Sequence, residues 1–256
     1  KGKGGAYYKY KHNDMTRLEL NLKRRTKLSA QNGGGILVIT EGIFGMTGQI
    51  GKIDEIVNLK ERFDFKLLVD DAHGFGVLGP NGRGTPEYFN CQSEVDLYFA
   101  TFTKAMSAMG AFVGANAEIV KYLRYNVRSQ IYAKALPMGY VLGGIKRLEV
   151  IRENPQFREK LWQIAMRLQN GLKAEGFNLE TTNSHVTPVY FNKDFTQNEV
   201  GNMVIDLREN LKIFCSVVIY PVVNKGVVML RLIPTSMHSF EDVDYTIEAF
   251  KKIRTK

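Results

Sequence analysis

In the first half of the chain, short apolar runs alternate with stretches of helical periodicity. Three apolar runs predict strands that lead into polar or ionisable residues, at 35–40, 65–69 and 95–101. A fourth strand is predicted over 110–116, and apolar residues at helical spacing follow the first strand at 53–63. Since strands that alternate with helices form mostly parallel sheets, this pattern predicts an α/β fold. The first run is apolar on both faces, so we expect it to be buried on both.

The second half begins with a long helical stretch from Ala117 to about Gly176, in which Pro155 is acceptable in a first turn. The elements predicted beyond it are strands at 186–191, 214–223 and 227–234, a helix at 200–210, and a closing helix that starts with Ser239 and Asp242 at capping-box spacing. We therefore predict two domains. Residues 1–176 form part of a large domain that includes the connecting helices, and residues 177–256 form a small carboxyl-terminal α/β domain.

The composition is that of a globular protein, with 256 residues, 44% apolar and 24% charged. No apolar run approaches the ~20 residues that span a bilayer, and no signal peptide is recognisable, so we expect a cytoplasmic protein in which contact with a membrane surface is left open. Cys91 and Cys215 lack metal-ligand spacing and are expected to be packed thiols; no metal site is expected. The first helix begins so near residue 1 that we expect a fragment of a longer polypeptide.

The formal charge of +9 raises the expectation of an anionic partner. The lysines and arginines are spread along the whole chain and are not gathered with aromatic residues into one patch, which argues against nucleic acid. A solvated basic surface explains the charge without any partner. A phosphate-bearing cofactor or a coenzyme A substrate would make more specific use of it.

The polar residues at the predicted strand ends form a chemically coherent set. Asp70 could hold a positive charge on a heteroaromatic nitrogen, His73 could hydrogen-bond a ring substituent, and Lys104 could form a Schiff base. The hydroxyls of Thr101 and Thr103 could bind a phosphate. Together these groups predict a pyridoxal-phosphate site. Taken singly, each has a structural explanation, as a turn cap, an interior histidine or a surface lysine.

Five segments resemble the motifs of the α-oxoamine synthases, fold type I enzymes that use pyridoxal phosphate to condense an amino acid with an acyl-CoA and release CO2. The resemblance covers essentially the whole chain, but the amino-terminal third of the family pattern is absent. The matching segments are 41–48 (EGIFGMTG), 69–74 (VDDAHG), 78–84 (LGPNGRG), 101–104 (TFTK) and 230–238 (LRLIPTSMH).

The resemblance implies a role for each matching residue. Lys104 would form the Schiff base and then act as the general base, while Asp70 would partner the pyridine nitrogen. His73 would hydrogen-bond the phenolic oxygen of the cofactor, Thr101 would bind its phosphate, and Arg231 would hold the carboxylate of the substrate. The family often has hydroxyl residues that contact the cofactor at the positions of Gly45, Ala133 and Ala135, so these departures predict weaker cofactor binding. The last two positions belong to a segment that reaches across a homodimer interface in the family.

Within the family, the segments 121–138 and 217–237 are most similar to a bacterial serine palmitoyltransferase branch. The resemblance therefore favours condensation of L-serine with palmitoyl-CoA to give 3-ketosphinganine. The family alternatives are 8-amino-7-oxononanoate synthase and glycine C-acetyltransferase, and an aminotransferase of the same fold is a further alternative. A non-catalytic subunit is the alternative of another class, which the presence of Lys104 and Asp70 disfavours.

Overall fold

The computed structural model describes residues 5–191 and 196–254 of the chain. The chain divides into two compact units. Unit 1 comprises Lys1–Gly42 and Gly51–Arg152, and unit 2 comprises Ile43–Ile50 and Glu153–Lys256. The helix that follows Asn154 is grouped with unit 2, although the sequence pattern assigned it to the large domain; the domain boundary at residue 176 remains a proposal.

Unit 1 is built on a four-stranded sheet with the strand order β1-β2-β3-β4. The first three strands are parallel, and β4 returns antiparallel to β3. The elements in chain order are α1 (Met15–Asn32), β1 (Leu37–Glu41), α2 (Ile53–Asn58), β2 (Lys66–Asp70), α3 (Thr85–Tyr88), β3 (Leu97–Thr101), β4 (Ala111–Ala115), α4 (Ala117–Asn126), α5 (Arg128–Tyr132) and α6 (Met138–Glu153). The predicted α/β class, the four strands and the helical stretch are thus confirmed.

The core of unit 1 lies between the sheet and the helices α1 and α2. Leu18 and Leu22 on one side of α1 are buried with Ile53 and with Leu67 of the sheet. Helix α1 begins where Asp14 accepts a hydrogen bond from the backbone N–H of Arg17, as an N-cap residue should. This packing fixes the carboxyl ends of β1 and β2 at one edge of the sheet.

The prediction that the first strand is buried on both faces is wrong for the described residues. Burial alternates along β1, and Leu37 and Ile39 are 50% and 56% exposed. The apolar residues of this run favour an extended strand. However, α1 and α2 cover the face of the strand opposite to Leu37 and Ile39.

Unit 2 has a three-stranded antiparallel sheet in which β7 lies between β5 and β6. Buried residues of its strands pack with those of its helices, including Leu230 and Phe250. The elements in chain order are α7 (Pro155–Ala174), β5 (Thr187–Phe191), α8 (Gln197–Glu209), β6 (Ser216–Val218), β7 (Val228–Leu232) and α9 (Phe240–Arg254).

Two expectations for unit 2 are confirmed and one needs correction. Pro155 occupies the first turn of α7, and Ser239 and Asp242 exchange hydrogen bonds at the start of α9. The strand predicted over 214–223 is much shorter, because β6 pairs with β7 only over Ser216–Val218. Pro221 has no backbone N–H to donate to a ladder, so the apolar run cannot continue as a paired strand.

Both cysteines are buried free thiols, as predicted. Burial raises the pKa of Cys91 and of Cys215 to about 11, so both remain protonated near neutral pH. None of the helices in the described ranges is long and apolar enough to cross a membrane.

Candidate active site

Asp70 is the last residue of β2, between the ends of two neighbouring strands. It is in register with Glu41 of β1 and with Phe99 of β3. Its side chain is half-buried, and Oδ1 accepts a hydrogen bond from the backbone N–H of Ala72 at 3.1 Å. Parallel strands open a crevice at their carboxyl ends, and ligands of α/β sheets bind there. Asp70 therefore has the position predicted from the sequence.

The neighbouring carboxylate, Asp71, is fully buried and belongs to the framework of the site. Its Oδ2 accepts hydrogen bonds from the backbone N–H of Thr85 at 2.6 Å and from the hydroxyl of Tyr98 at 2.9 Å, and its Oδ1 accepts from the hydroxyl of Thr85 at 2.6 Å. Burial raises the pKa of Asp71, and these hydrogen bonds partly offset that effect. Burial and the adjacent charge of Asp71 likewise raise the pKa of Tyr98.

Glycine is required at three positions that touch Asp71. A Cβ atom at Gly42, Gly74 or Gly84 would lie 1.9–2.1 Å from an oxygen of the Asp71 carboxylate, which is far inside contact distance. Gly84 also has a φ of 94°, a conformation that favours glycine. The glycines of the 69–74 and 78–84 segments thus enclose a buried carboxylate.

Glu87 organises the remainder of the glycine-rich loop. Its carboxylate accepts hydrogen bonds from the backbone N–H groups of Asn81 and Arg83, both at 3.0 Å, and from Nδ2 of Asn81 at 2.8 Å. Burial acts to raise the pKa of Glu87, but these hydrogen bonds outweigh it and hold the pKa below its usual range. Glu87, Thr85 and Tyr98 could not be recognised from the sequence, because a supporting carboxylate or hydroxyl has no motif of its own.

His73 lies in the turn that directly follows β2 and is half-buried. This turn is closed by hydrogen bonds from the backbone N–H groups of Gly74 and Phe75 to the carbonyl of Asp71, at 3.0 and 2.9 Å. Since Asp71 is itself fixed by Thr85 and Tyr98, the backbone around His73 is held in one conformation. His73 therefore follows Asp70 by three residues, in the turn at the same strand end.

Lys104 lies in the hairpin that joins β3 to β4. The backbone N–H of Phe102 donates to the carbonyl of Gly110 at 2.9 Å, and that of Ser107 donates to the carbonyl of Lys104 at 3.0 Å. Because β3 is parallel to β2, this hairpin and Asp70 belong to the same edge of the sheet. Lys104 is exposed there.

Two threonine hydroxyls precede Lys104 and form a hydrogen-bonded pair, with their Oγ1 atoms 2.9 Å apart. Thr101 Oγ1 also donates to the carbonyl of Gly110 at 3.1 Å and accepts from the backbone N–H of Thr103 at 3.2 Å. Either hydroxyl can be the donor within this pair. The pair is thus ordered at the strand end.

Arg231 is a residue of β7 in unit 2. Its Nη1 donates to the backbone carbonyl of Gly45 at 3.0 Å, and Gly45 belongs to the 43–50 segment of the same unit. Its Nε is buried and has no hydrogen-bond partner among residues 5–191 and 196–254. The guanidinium therefore keeps an unused N–H donor at Nε. An arginine with an unused donor suits a carboxylate ligand.

Ala133 and Ala135 lie exposed in the segment between α5 and α6. Neither side chain carries a hydroxyl, so neither can supply the contact with the cofactor that the family often has at these positions.

The donor set in unit 1 fits pyridoxal phosphate. A carboxylate suits a protonated ring nitrogen, a paired set of hydroxyls suits a phosphate, and an amine suits an aldehyde; Asp70, Thr101 with Thr103, and Lys104 supply these groups at one sheet edge. The remaining site residue predicted from the sequence, Arg231, is placed in unit 2.

Comparison with known proteins identifies the family. The model for "Aminotransferase class I and II" matches residues 1–250. The chain belongs to the aminotransferase class I and II family. A cysteate-C-fatty acyltransferase of Capnocytophaga ochracea is 55% identical over 252 residues, which are 98% of this chain and 60% of that protein. An 8-amino-7-oxononanoate synthase of Petrotoga mobilis is 32% identical, over 96% of this chain and 61% of that protein.

Among solved structures, a serine palmitoyltransferase of Sphingomonas wittichii matches with a TM-score of 0.86 and 27% identity, over 94% of this chain and 59% of that one. A further serine palmitoyltransferase, solved with PLP, matches with the same TM-score. The aminotransferase class I and II fold and the resemblance to α-oxoamine synthases are thus confirmed. The expectation of a pyridoxal-phosphate enzyme is confirmed at the level of the family. The chain spans about 60% of the length of the curated relatives given above.

Proposed function

We propose that this chain carries the cofactor-binding part of an enzyme that joins an amino acid to a fatty acyl thioester. The overall reaction forms a bond between the α-carbon of the amino acid and the acyl carbon. The carboxylate of the amino acid leaves as CO2, the C–S bond of the thioester breaks, and the released thiolate takes up a proton. The acyl donor is an acyl-CoA, and the product is an aminoketone.

Cysteate is the amino acid that we propose first. The observation that carries this choice is the 55% identity, over 98% of the chain, with a protein named cysteate-C-fatty acyltransferase. L-Serine with palmitoyl-CoA, the pair that the sequence analysis favoured, is the second candidate. It is supported by the TM-score of 0.86 against a serine palmitoyltransferase.

Pyridoxal phosphate, when bound, supplies an electron-withdrawing ring that makes the α-carbon of the amino acid acidic. The Asp70 carboxylate stabilises the proton on the ring nitrogen, and the hydroxyls of Thr101 and Thr103 bind the phosphate. His73 hydrogen-bonds the ring oxygen. Lys104 would hold the cofactor, and its amine, once the amino acid has displaced it, would remove the proton from the α-carbon.

Arg231 binds the carboxylate of the amino acid through its guanidinium. Its Nη1 contact with the Gly45 carbonyl orients the guanidinium before substrate arrives. In this proposal Arg231 discriminates amino acids from amines, while residues that contact the amino-acid side chain select between cysteate and serine.

A homodimer is the assembly that we propose for the enzyme. Unit 1 exposes large apolar side chains along α4, α5 and α6, among them Tyr125 (74%), Tyr132 (76%) and Met138 (69%). An apolar surface of this kind marks an interface, and two-fold dimers are the commonest closed assembly. Light scattering at working concentration should give the mass of a dimer, and a monomer would contradict the proposal.

The function is tested by release of labelled CO2 from carboxyl-labelled amino acids in the enzyme that contains this chain. Cysteate, serine, glycine and alanine are each supplied with and without palmitoyl-CoA, and Lys104→Ala serves as the control. We expect release that requires palmitoyl-CoA and is fastest with cysteate. Fastest release with serine would select the second candidate. Release that does not depend on the acyl-CoA, or amino transfer to an oxoacid, would contradict the proposed reaction.

A further inference from the structure

The outward side of α1 carries a stripe of cations with two leucines between them. Leu18 and Leu22 on the inner side of the helix are 3% and 2% exposed, whereas Leu20 and Leu28 on the outer side are 42% and 39% exposed. Side chains three, four or seven residues apart lie on the same side of a helix. We use the name α1 face for the exposed residues Arg17, Leu20, Lys23, Arg24, Lys27 and Leu28.

Among the described residues, the acids near the α1 face form no ion pair with its cations. Asp14 caps the helix by accepting the backbone N–H of Arg17, and the carboxylate of Glu19 is bound to Arg62 at 2.6 Å. Across the described ranges, no carboxylate forms an ion pair with the four cations of the face. Their side chains are therefore available to an external anion.

The segment before α1 extends this charged surface. The guanidinium of Arg25 lies 3.4 Å from the ring centroid of Tyr8, and Asn21 Nδ2 donates to the carbonyl of Lys9 at 3.4 Å. These contacts hold the segment along α1, where Lys9 and Lys11 are exposed and line an open depression together with Tyr10, Asp14 and Arg17. Tyr7, which is 79% exposed, adds an aromatic side chain to the same segment.

We propose that the α1 face, with Lys9 and Lys11, binds the surface of an anionic lipid bilayer. Clusters of four to eight lysines and arginines on a helix are typical of binding to anionic lipids. Long cationic side chains extend to the headgroups, and exposed leucine and tyrosine side chains can enter the interface. This inference goes beyond the proposed function and does not depend on it.

A bilayer suits the α1 face better than a folded acidic protein does. The cations from Arg17 to Lys27 are spread over ten residues, or about 15 Å along the helix axis. At a site shaped for a rigid partner, we would expect carboxylates to hold the cationic side chains in one geometry. No described carboxylate does so here. Mobile lipid headgroups can adapt to such a set.

Co-sedimentation with vesicles tests the proposal without any measurement of activity. The enzyme that contains this chain is mixed with vesicles of phosphatidylglycerol and phosphatidylcholine, and with vesicles of phosphatidylcholine alone, at low and at high salt. We expect binding to the anionic vesicles, and we expect salt to weaken it because it screens exposed charges. Each cation near an anionic surface contributes roughly fivefold in affinity, so Arg24→Gln with Lys27→Gln should weaken binding about 25-fold.

Two double variants serve as controls. Arg24→Lys with Lys27→Arg keeps the charge and should bind as the parent does. Lys173→Gln with Lys225→Gln removes two exposed charges from unit 2 and should also leave binding unchanged. Thermal unfolding of every variant should match that of the parent, since all four positions are exposed.

Several results would overturn the proposal. These are equal binding of the parent and the Arg24→Gln/Lys27→Gln variant, equal binding to both kinds of vesicle, and an equal loss in the unit 2 control. Displacement from vesicles by free coenzyme A would instead assign the α1 face to a soluble phosphate compound. Failure of the parent to bind anionic vesicles at low salt would also overturn the proposal, and binding to an acidic protein would then assign the face to a protein partner.

Discussion

Thr85 donates two hydrogen bonds to the carboxylate of Asp71, one from its backbone N–H and one from its hydroxyl, each 2.6 Å long. The residues are fourteen positions apart, so these bonds close the whole loop between β2 and α3. The loop carries His73 and begins next to Asp70. A buried carboxylate that takes no part in the proposed chemistry thus positions two residues that do.

Replacement of Thr85 by valine should destabilise the chain by about 1–3 kcal/mol. The valine side chain has the shape of threonine but leaves Oδ1 of the buried Asp71 without its hydroxyl donor, which costs free energy of this size. Urea unfolding measures the change. Thr85→Ser keeps the donor and should cost less; equal losses for valine and serine would contradict a role for the hydroxyl.

Glu87 should make the stability of unit 1 depend on acid pH. Its pKa is lowered in the folded chain, so its stabilisation is fully present above the unfolded value of about 4.3 and is lost as the pH falls through the lower folded pKa. Glu87→Gln cannot titrate and should show a smaller loss of unfolding free energy below pH 4.3 than the parent. Parallel stability curves for the two proteins would contradict this account.

The sequence located the candidate site residues because strand ends can be recognised from the pattern of apolar runs. Asp70 and Lys104 follow apolar runs, and the structure puts both at one edge of the sheet. The sequence assigned a role to Asp70 but did not predict the buried framework role of Asp71, since burial depends on how the glycines and Thr85 pack around the chain. Arg231 was predicted from a motif, but its contact with Gly45 joins residues 186 positions apart and has no local signal.

Asp70→Asn should retain the fold and lose most of the proposed activity. The asparagine amide is neutral and cannot stabilise a protonated ring nitrogen, whereas its shape leaves the hydrogen bond from Ala72 in place. We expect a fall in kcat of about a hundredfold or more, as for the loss of other groups that stabilise charge in a transition state. Near-normal turnover by a cofactor-loaded Asp70→Asn enzyme would exclude this role.

Arg231→Lys should raise the KM for the amino acid by about ten- to a hundredfold. Lysine keeps the positive charge but lacks the planar fork that binds a carboxylate through two hydrogen bonds. The Nη1 contact with the Gly45 carbonyl would also be lost, so the remaining charge would be poorly oriented. Steady-state kinetics with the amino acid as the varied substrate give the result; an unchanged KM would show that Arg231 does not bind the carboxylate.

The central claim is that the sheet edge of unit 1 holds pyridoxal phosphate with Lys104 as its covalent attachment point. Borohydride reduction of the cofactor-loaded protein, followed by peptide mapping, tests it most directly. The account predicts a pyridoxyl label on Lys104 that disappears in Lys104→Ala, while Lys121→Ala, which removes another exposed lysine of unit 1, keeps it. A label on any other lysine of the parent protein, or a label that persists in Lys104→Ala, would contradict the account.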